Sequence, residues 1–372
     1  MTVSPASAQA RRRVARLRLA AQLLSSAPAR NPADAVRWML AMQAQDERGI
    51  KWSVGLRTSG ATEADVDAAY DAGEIVRSWP LRGTLHLVAA EDLAWMLELT
   101  AERAIASAAG RRAVLGITLS EIERAREIAI QALPARAALS RSALLAAITA
   151  GGVSTAGQRG YHLLWFLAQT GTLVLGPTDR GRQCFARLED WVPNPRRLDR
   201  EEALGELAVR YFRSHGPASV EDLARWSGLG LRDVRKGIAV GGASLATLEI
   251  DGSRYIVAAE AADAPDRPDG MRLLPGFDEY LLGYRDRSIV LAPEHSEAIV
   301  PGGNGMFKAT IVVDGEVVGT WARQPGAGGV VVEAMPFASL STSEVEALRA
   351  AAQGYGRFLE RPATIRAEGI QV

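Results

Sequence analysis

Helical and extended spacing of apolar residues alternate along the chain in a repeating order. Residues 140 to 150 (SRSALLAAITA) place apolar side chains at helical intervals behind Ser140 as N-cap, and Gly151 and Gly152 stop the run. Residues 155 to 169 carry a second apolar stripe. TGTLVLGP (170 to 177) then reads as a strand, Thr178 to Arg182 as a charged loop, and QCFARLEDW (183 to 191) as the returning strand. The order recurs from Asp199: a helix through Ser214, a short helix VEDLARWSG capped by Ser219, a third helix from Leu231 to Ala239, and a hairpin over 246 to 258 turning at Asp251-Gly252. A fainter copy opens the chain, with helices near 12 to 25, 33 to 42 and 62 to 73 and a two-stranded wing from Ile75 to Val88. Helices followed by a hairpin are the winged-helix plan, a variant of helix-turn-helix.

The pattern changes after the proline-rich link 263 to 270. KATIVVDGEVVGTWA alternates strictly around Asp314-Gly315, GVVVEAMPF adds a strand, and a last helix covers about Thr342 to Leu359. The expected fold class is therefore α+β: three tandem winged-helix units with a C-terminal β-rich domain. The expected boundaries are 1 to 90 for the first unit, 91 to 137 for a helical connector, 138 to 195 and 196 to 262 for the next two units, and 270 to 372 for the β-rich domain.

At 372 residues and 48% hydrophobic content, several buried cores are possible. No stretch of about 18 apolar residues occurs, and the N-terminal arginine cluster leads only into a short, interrupted apolar run, so neither a membrane span nor a signal peptide is expected. A cytoplasmic protein with no membrane partner is the expectation. A single cysteine, Cys184, and four scattered histidines exclude cysteine-rich zinc sites and helical metal-ligand spacing, so no metal is expected. No phosphate-binding Gly-rich loop and no Gly-x-Ser-x-Gly elbow is present, so no nucleotide or other cofactor is expected.

The formal charge sums to zero, but residues 1 to 60 hold ten basic and three acidic side chains, a net of +7, whereas residues 236 to 372 hold 12 basic and 18 acidic, a net of −6. This asymmetry suits a protein that concentrates phosphate-binding charge at one end.

One segment offers chemistry. In RWMLAMQAQDERG (37 to 49), Gln43 and Gln45 are separated by one alanine. Residues i and i+2 point about 200° apart on a helix but to the same side of an extended segment. If the pair acts on one target, the helix ends near Met42, the segment is extended and Ala44 faces the core. An amide accepts a hydrogen bond from water, but it is no strong base at pH 7. It suits a reaction whose leaving group is already activated, such as a cationic N7-alkylated purine. The alternative is a pair of surface or helix-capping glutamines. Asp46 and Glu47 are nearby carboxylates, read as a solvated face.

Gln-x-Gln followed by Arg48, Lys51 and Trp52, then SWPLRGTLHLV (78 to 88), LLPGFDEYLLGYRDR (273 to 287) and NGMFKATIVVDGEVVGTW (304 to 321), together resemble the AlkZ-type winged-helix alkylpurine DNA glycosylases. The match runs from about residue 12 to 360. The resemblance implies a C-shaped molecule and double-stranded DNA containing alkylated purines as partner. It also implies hydrolysis of the N-glycosidic bond of N7-alkylpurines, including azinomycin-type interstrand crosslinks removed as antibiotic self-resistance, with Gln43 and Gln45 orienting water. Family members with Gln-x-Asp have a carboxylate where this chain has Gln45, so weaker basicity here fits a cationic substrate. Because a crosslinked base cannot be rotated into a deep pocket, an open site is expected. The rival reading is a non-catalytic DNA-binding regulator.

Candidate DNA contacts are Arg48, Lys51 as a solvated phosphate contact or a Schiff-base lysine, Arg82 as a phosphate ligand in the first wing, and His86 as either a phosphate or pocket contact or a structural histidine bonded to backbone. In PGGNGMFK, Asn304, Met306 and Lys308 are read either as minor-groove probes at a hairpin entry or as an ordinary glycine-rich turn. The tryptophans at apolar periodic positions, Trp79, Trp165, Trp191 and Trp226, are read as core.

Overall fold

The computed structural model describes residues 5 to 179, 182 to 262, 270 to 326 and 328 to 367. The first unit runs α1 (Pro5–Ala21), α2 (Pro32–Met39), β1 (Ala41–Gln43), α3 (Glu47–Leu56), α4 (Glu63–Asp71), β2 (Ile75–Leu81) and β3 (Thr84–Ala89). Helices α5 (Leu93–Ser107), α6 (Ala109–Val114) and α7 (Leu119–Ala132) connect it to a second helix–hairpin unit: α8 (Arg141–Ala150), α9 (Arg159–Gln169), β4 (Leu173–Asp179), β5 (Arg182–Arg187) and the short α10 (Leu188–Trp191). The third unit is α11 (Arg200–His215), α12 (Val220–Ser227), α13 (Leu231–Gly241), β6 (Leu245–Ile250) and β7 (Ser253–Ala258). The C-terminal part comprises β8 (Met271–Leu274), α14 (Glu279–Leu282), α15 (Ser296–Ile299), β9 (Thr310–Val313), β10 (Glu316–Gly326), β11 (Gly329–Pro336), α16 (Thr342–Phe358) and β12 (Ala363–Ala367). The fold is mixed α and β, as the spacing indicated.

The elements differ from the sequence reading at three places, two of them with an identifiable cause. Helix α2 ends at Met39 rather than near Met42, because Leu40 takes φ 65° and ψ −54°, a strained positive-φ conformation of the γ-turn kind, and turns the chain into β1. Helix α3, absent from the sequence reading, is started by Asp46, whose side chain accepts from Arg48 N. Its stripe is obscured by Gly49 and Gly55, which are there because a side chain would collide: a Cβ at Gly55 would lie 2.5 Å from the Phe358 ring. The returning strand of the second hairpin stops at Arg187 and continues as α10.

The hairpins of the first two units are also not separate. Strands β1, β3, β2, β4 and β5 form one five-stranded sheet in that order, with β2 and β4 paired at Arg77 and Leu175. The β2–β3 hairpin turns through Arg82 (φ 53°) and Gly83 (φ 66°), two successive left-handed residues that match the twist of a tight antiparallel pair. Strands β12, β11, β10, β9 and β8 make a second five-stranded sheet, and β6 and β7 a two-stranded one.

The cores cross unit boundaries. Val36, Met39, Ile50 and Trp52 from the first unit are buried in one cluster with Leu273, Ile311, Trp321, Leu348 and Tyr355 from the C-terminal part. Trp52 lies 5.0 Å from the Tyr355 ring and 5.1 Å from Phe358, and its indole N–H donates to Leu273 O at 2.7 Å. A buried carboxylate completes the joint: Asp278 receives both terminal nitrogens of Arg57 at 2.9 Å and the Ser53 hydroxyl at 2.6 Å. Trp79, Trp165 and Trp226 are core residues, as read from their spacing, whereas Trp191 is only half-buried and packs against the core from α10.

Candidate active site

After α2 the chain enters β1, Ala41–Gln43, the edge strand of the first sheet, with Gln43 opposite His86, and Ala44 and Gln45 follow it. Three backbone groups of this segment are held. Gln43 N–H donates to Glu279 Oε1 at 2.7 Å, Ala44 N–H to Leu85 O at 2.8 Å, and Ala44 O accepts from Arg77 at 2.6 Å. Ala44 is fully buried, Gln43 half-buried and Gln45 exposed. The two amide side chains lie on the same side, and Gln43 Nε2 donates to Gln45 Oε1. The chain is thus a strand through Gln43, and Ala44 faces inward with both glutamine side chains on one side.

Behind the pair lies a polar network of buried groups. Glu279 Oε2 accepts from Trp226 Nε1 at 2.9 Å, and His215 Nε2 lies 3.5 Å from the same oxygen. Burial alone would raise the Glu279 pKa, but His215, His86 and the Gln43 N–H outweigh it and bring it down to about 2, so the group stays ionised. Arg82 points inward: Nη2 donates to Gln43 Oε1 at 3.0 Å, and Nη1 donates to Trp226 O at the end of α12. Burial, with the like charges of Arg225 and Arg287, lowers the pKa of this guanidinium, while Glu279 works to raise it.

On its open side Gln45 borders a cleft of about 350 Å³ walled by Trp79, Tyr161 and Phe185, with Glu47, Arg77 and Arg141 at its polar edge. Glu47, read as part of a solvated face, lies 3.6 Å from Arg77 in this cleft. Gln45 is thus at a surface, not at the bottom of a closed cavity. A separate groove of about 700 Å³ gathers Arg48, Arg323 and Arg361.

Several expected contacts need correction. Lys51 is only 5% exposed and its ammonium is 2.6 Å from Asp67 and 3.9 Å from Glu63, so it ties α3 to α4 and is neither a solvated phosphate contact nor free to form a Schiff base. His86 is completely buried, with Nδ1 2.8 Å from Thr84 O, which is the structural alternative and not a phosphate contact. Burial lowers its pKa to about 4, so it is neutral at pH 7. Arg82 is turned into the protein and is not a phosphate ligand in the wing. Arg48 is exposed, as are Asn304, Met306 and Lys308, in a loop where Asn304 Oδ1 accepts from Met306 N at 2.8 Å. Sequence reasoning missed Glu279, Trp226 and the inward role of Arg82. The only available signal was two adjacent acids, Asp278 and Glu279, inside the apolar run LLPGFDEYLLGY.

Comparison with known proteins supplies the class, enzymes that act on the N-glycosyl bonds of DNA. The chain belongs to the DNA glycosylase AlkZ-like family, whose model matches residues 36–358. It is 28% identical over 330 residues to an interstrand DNA cross-link repair glycosylase of Streptomyces sahachiroi, covering 83% of this chain and 87% of that protein. It superposes on the Streptomyces sahachiroi DNA glycosylase AlkZ with a TM-score of 0.80 at 26% identity, covering 96% of this chain and 98% of that one. Such identities mark a distinct member of the family. Among the described residues no helix is long and apolar enough to cross a membrane.

Proposed function

We propose that this DNA glycosylase hydrolyses the N-glycosidic bond of N7-alkylated purines, bulky adducts and azinomycin-type interstrand crosslinks included, through water positioned by Gln43 and Gln45. The observation that carries the reading is the pair of amides hydrogen-bonded side by side at the end of β1, with Gln45 exposed at a cleft mouth. Alkylation at N7 leaves the purine cationic. As the C1′–N9 bond breaks, its electron pair returns to the ring and neutralises it, and the water oxygen bonds to C1′ while its proton passes to solvent. No strong base is required. An amide carbonyl orients the water, and its dipole faces the developing positive charge on the sugar. An exposed site accommodates a base tied to the opposite strand, and the crosslink repair in the name of the Streptomyces relative agrees with this substrate class.

In this reading the three helix–hairpin units are winged helices set in a C around the duplex, with Arg48 on its phosphates and Asn304, Met306 and Lys308 at the minor groove. The test is base release from a duplex carrying one N7-alkylguanine. Replacing both glutamines by alanine should abolish release, by about 100-fold or more, with DNA affinity nearly intact. Persisting release, or affinity that falls in step with activity, sinks the assignment.

A further inference from the structure

We propose that Arg82 sets the direction of the amide pair and so gives the two glutamines different tasks: Gln43 orients Gln45, and Gln45 alone addresses the water. The inference rests on the reading that the pair activates water.

A guanidinium carries donors only, so the Gln43 atom 3.0 Å from Arg82 Nη2 must be the carbonyl oxygen. The Gln43 NH2 group is then turned towards Gln45, which has to answer with its own carbonyl oxygen. One donor-only cation thereby fixes both amides: Arg82 donates to Gln43, and Gln43 donates to Gln45. The oxygen of the half-buried Gln43 is committed to the protein, whereas the exposed Gln45 keeps a lone pair on Oε1 for a water proton. Successive donation from a cation also polarises each amide in the chain.

Arg82 is itself fixed. Its Nη1 binds the Trp226 carbonyl in the last turn of α12, where a helix is partly negative, and a Cβ at Gly228 would sit 3.1 Å from Arg82 Cγ. The Trp226 indole binds Glu279, which holds the Gln43 N–H. Both the backbone and the side chain of Gln43 are therefore referred to one tryptophan. Arg82 is a positioning residue in this scheme, because it acts through Gln43 and touches no substrate.

The inference is tested by single-turnover base release from a duplex containing N7-methylguanine, with DNA affinity measured in parallel. R82M should slow the chemical step on the order of 10- to 100-fold with affinity within about threefold of wild type. Q43E keeps the shape and can pair with Arg82 but has no NH2 to donate, and it should be as slow as Q43A. Q45D still accepts from Gln43; it should remain active and acquire an acid limb in its pH–rate profile in the carboxylate range. The inference is overturned if R82M keeps the wild-type rate, if R82M loses rate and affinity together, or if Q43E behaves as Q45D does. A protein with both glutamines replaced by alanine separates the two levels: if it too keeps its rate, the water-activating pair itself is wrong.

Discussion

At the scale of single residues, burial decides function. His86 and Gln43 face each other across two strands, yet one is sealed and neutral while the other reaches the surface through its neighbour. Because the His86 pKa lies near 4 in the fold, against about 6.5 in an unfolded chain, the unfolded state takes up the proton first as pH falls. The associated stability is fully present above pH 6.5 and is lost as pH falls towards 4. Between pH 7.5 and 5.0 the wild type should lose about 2 kcal/mol more than H86Q, measured by urea unfolding at both values; equal losses would show that the histidine is not buried in neutral form. That Gln43 and Gln45 could share a side was legible in the sequence, because i and i+2 do so only in extended backbone, but their role came from the family resemblance and not from spacing. Its partners were not. Arg82 is 39 positions from Gln43 and Glu279 is 236, and no local pattern reports such a contact.

At the scale of elements, what could be read was what local rules determine. The β6–β7 and β9–β10 hairpins turn where the Asp-Gly pairs require, with Asp251 and Asp314 in left-handed conformation. What escaped was set by packing: α2 stops at Leu40 without any glycine or asparagine to signal it, and the join between β2 and β4 is a contact between hairpins that each look complete in sequence. Helix α3 was hidden for the same reason, since Gly55 answers to Phe358 across the molecule. G55A should therefore destabilise. Overpacking against the ring costs about 1–3 kcal/mol, against a gain of up to about 1 kcal/mol in helix propensity. The urea midpoint should drop, and F358L should restore much of it; a midpoint that rises in G55A would mean the ring yields freely.

At the scale of the whole molecule, a formally neutral chain has to attract a polyanion, and distribution achieves what net charge does not. The groove shared by Arg48, Arg323 and Arg361 draws on three distant segments and is the place to measure this. Removing Arg48 and Arg323 together should weaken binding to undamaged and damaged duplex alike and reduce the slope of log affinity against log salt by about 2. An unchanged slope would place the duplex elsewhere. The common core of the first unit and the C-terminal sheet also means that the two ends of the chain stand or fall together.

Three consecutive residues show how far that dependence goes. Asp278 is bound by Ser53 of α3, Glu279 holds β1 and α12, and the Tyr280 hydroxyl donates to Gly315 O at 2.7 Å in the β9–β10 turn. During synthesis the Gln-x-Gln segment leaves the ribosome more than two hundred residues before this anchor is made. A chain broken before this anchor carries both glutamines without the carboxylate that holds the Gln43 N–H and the Trp226 indole.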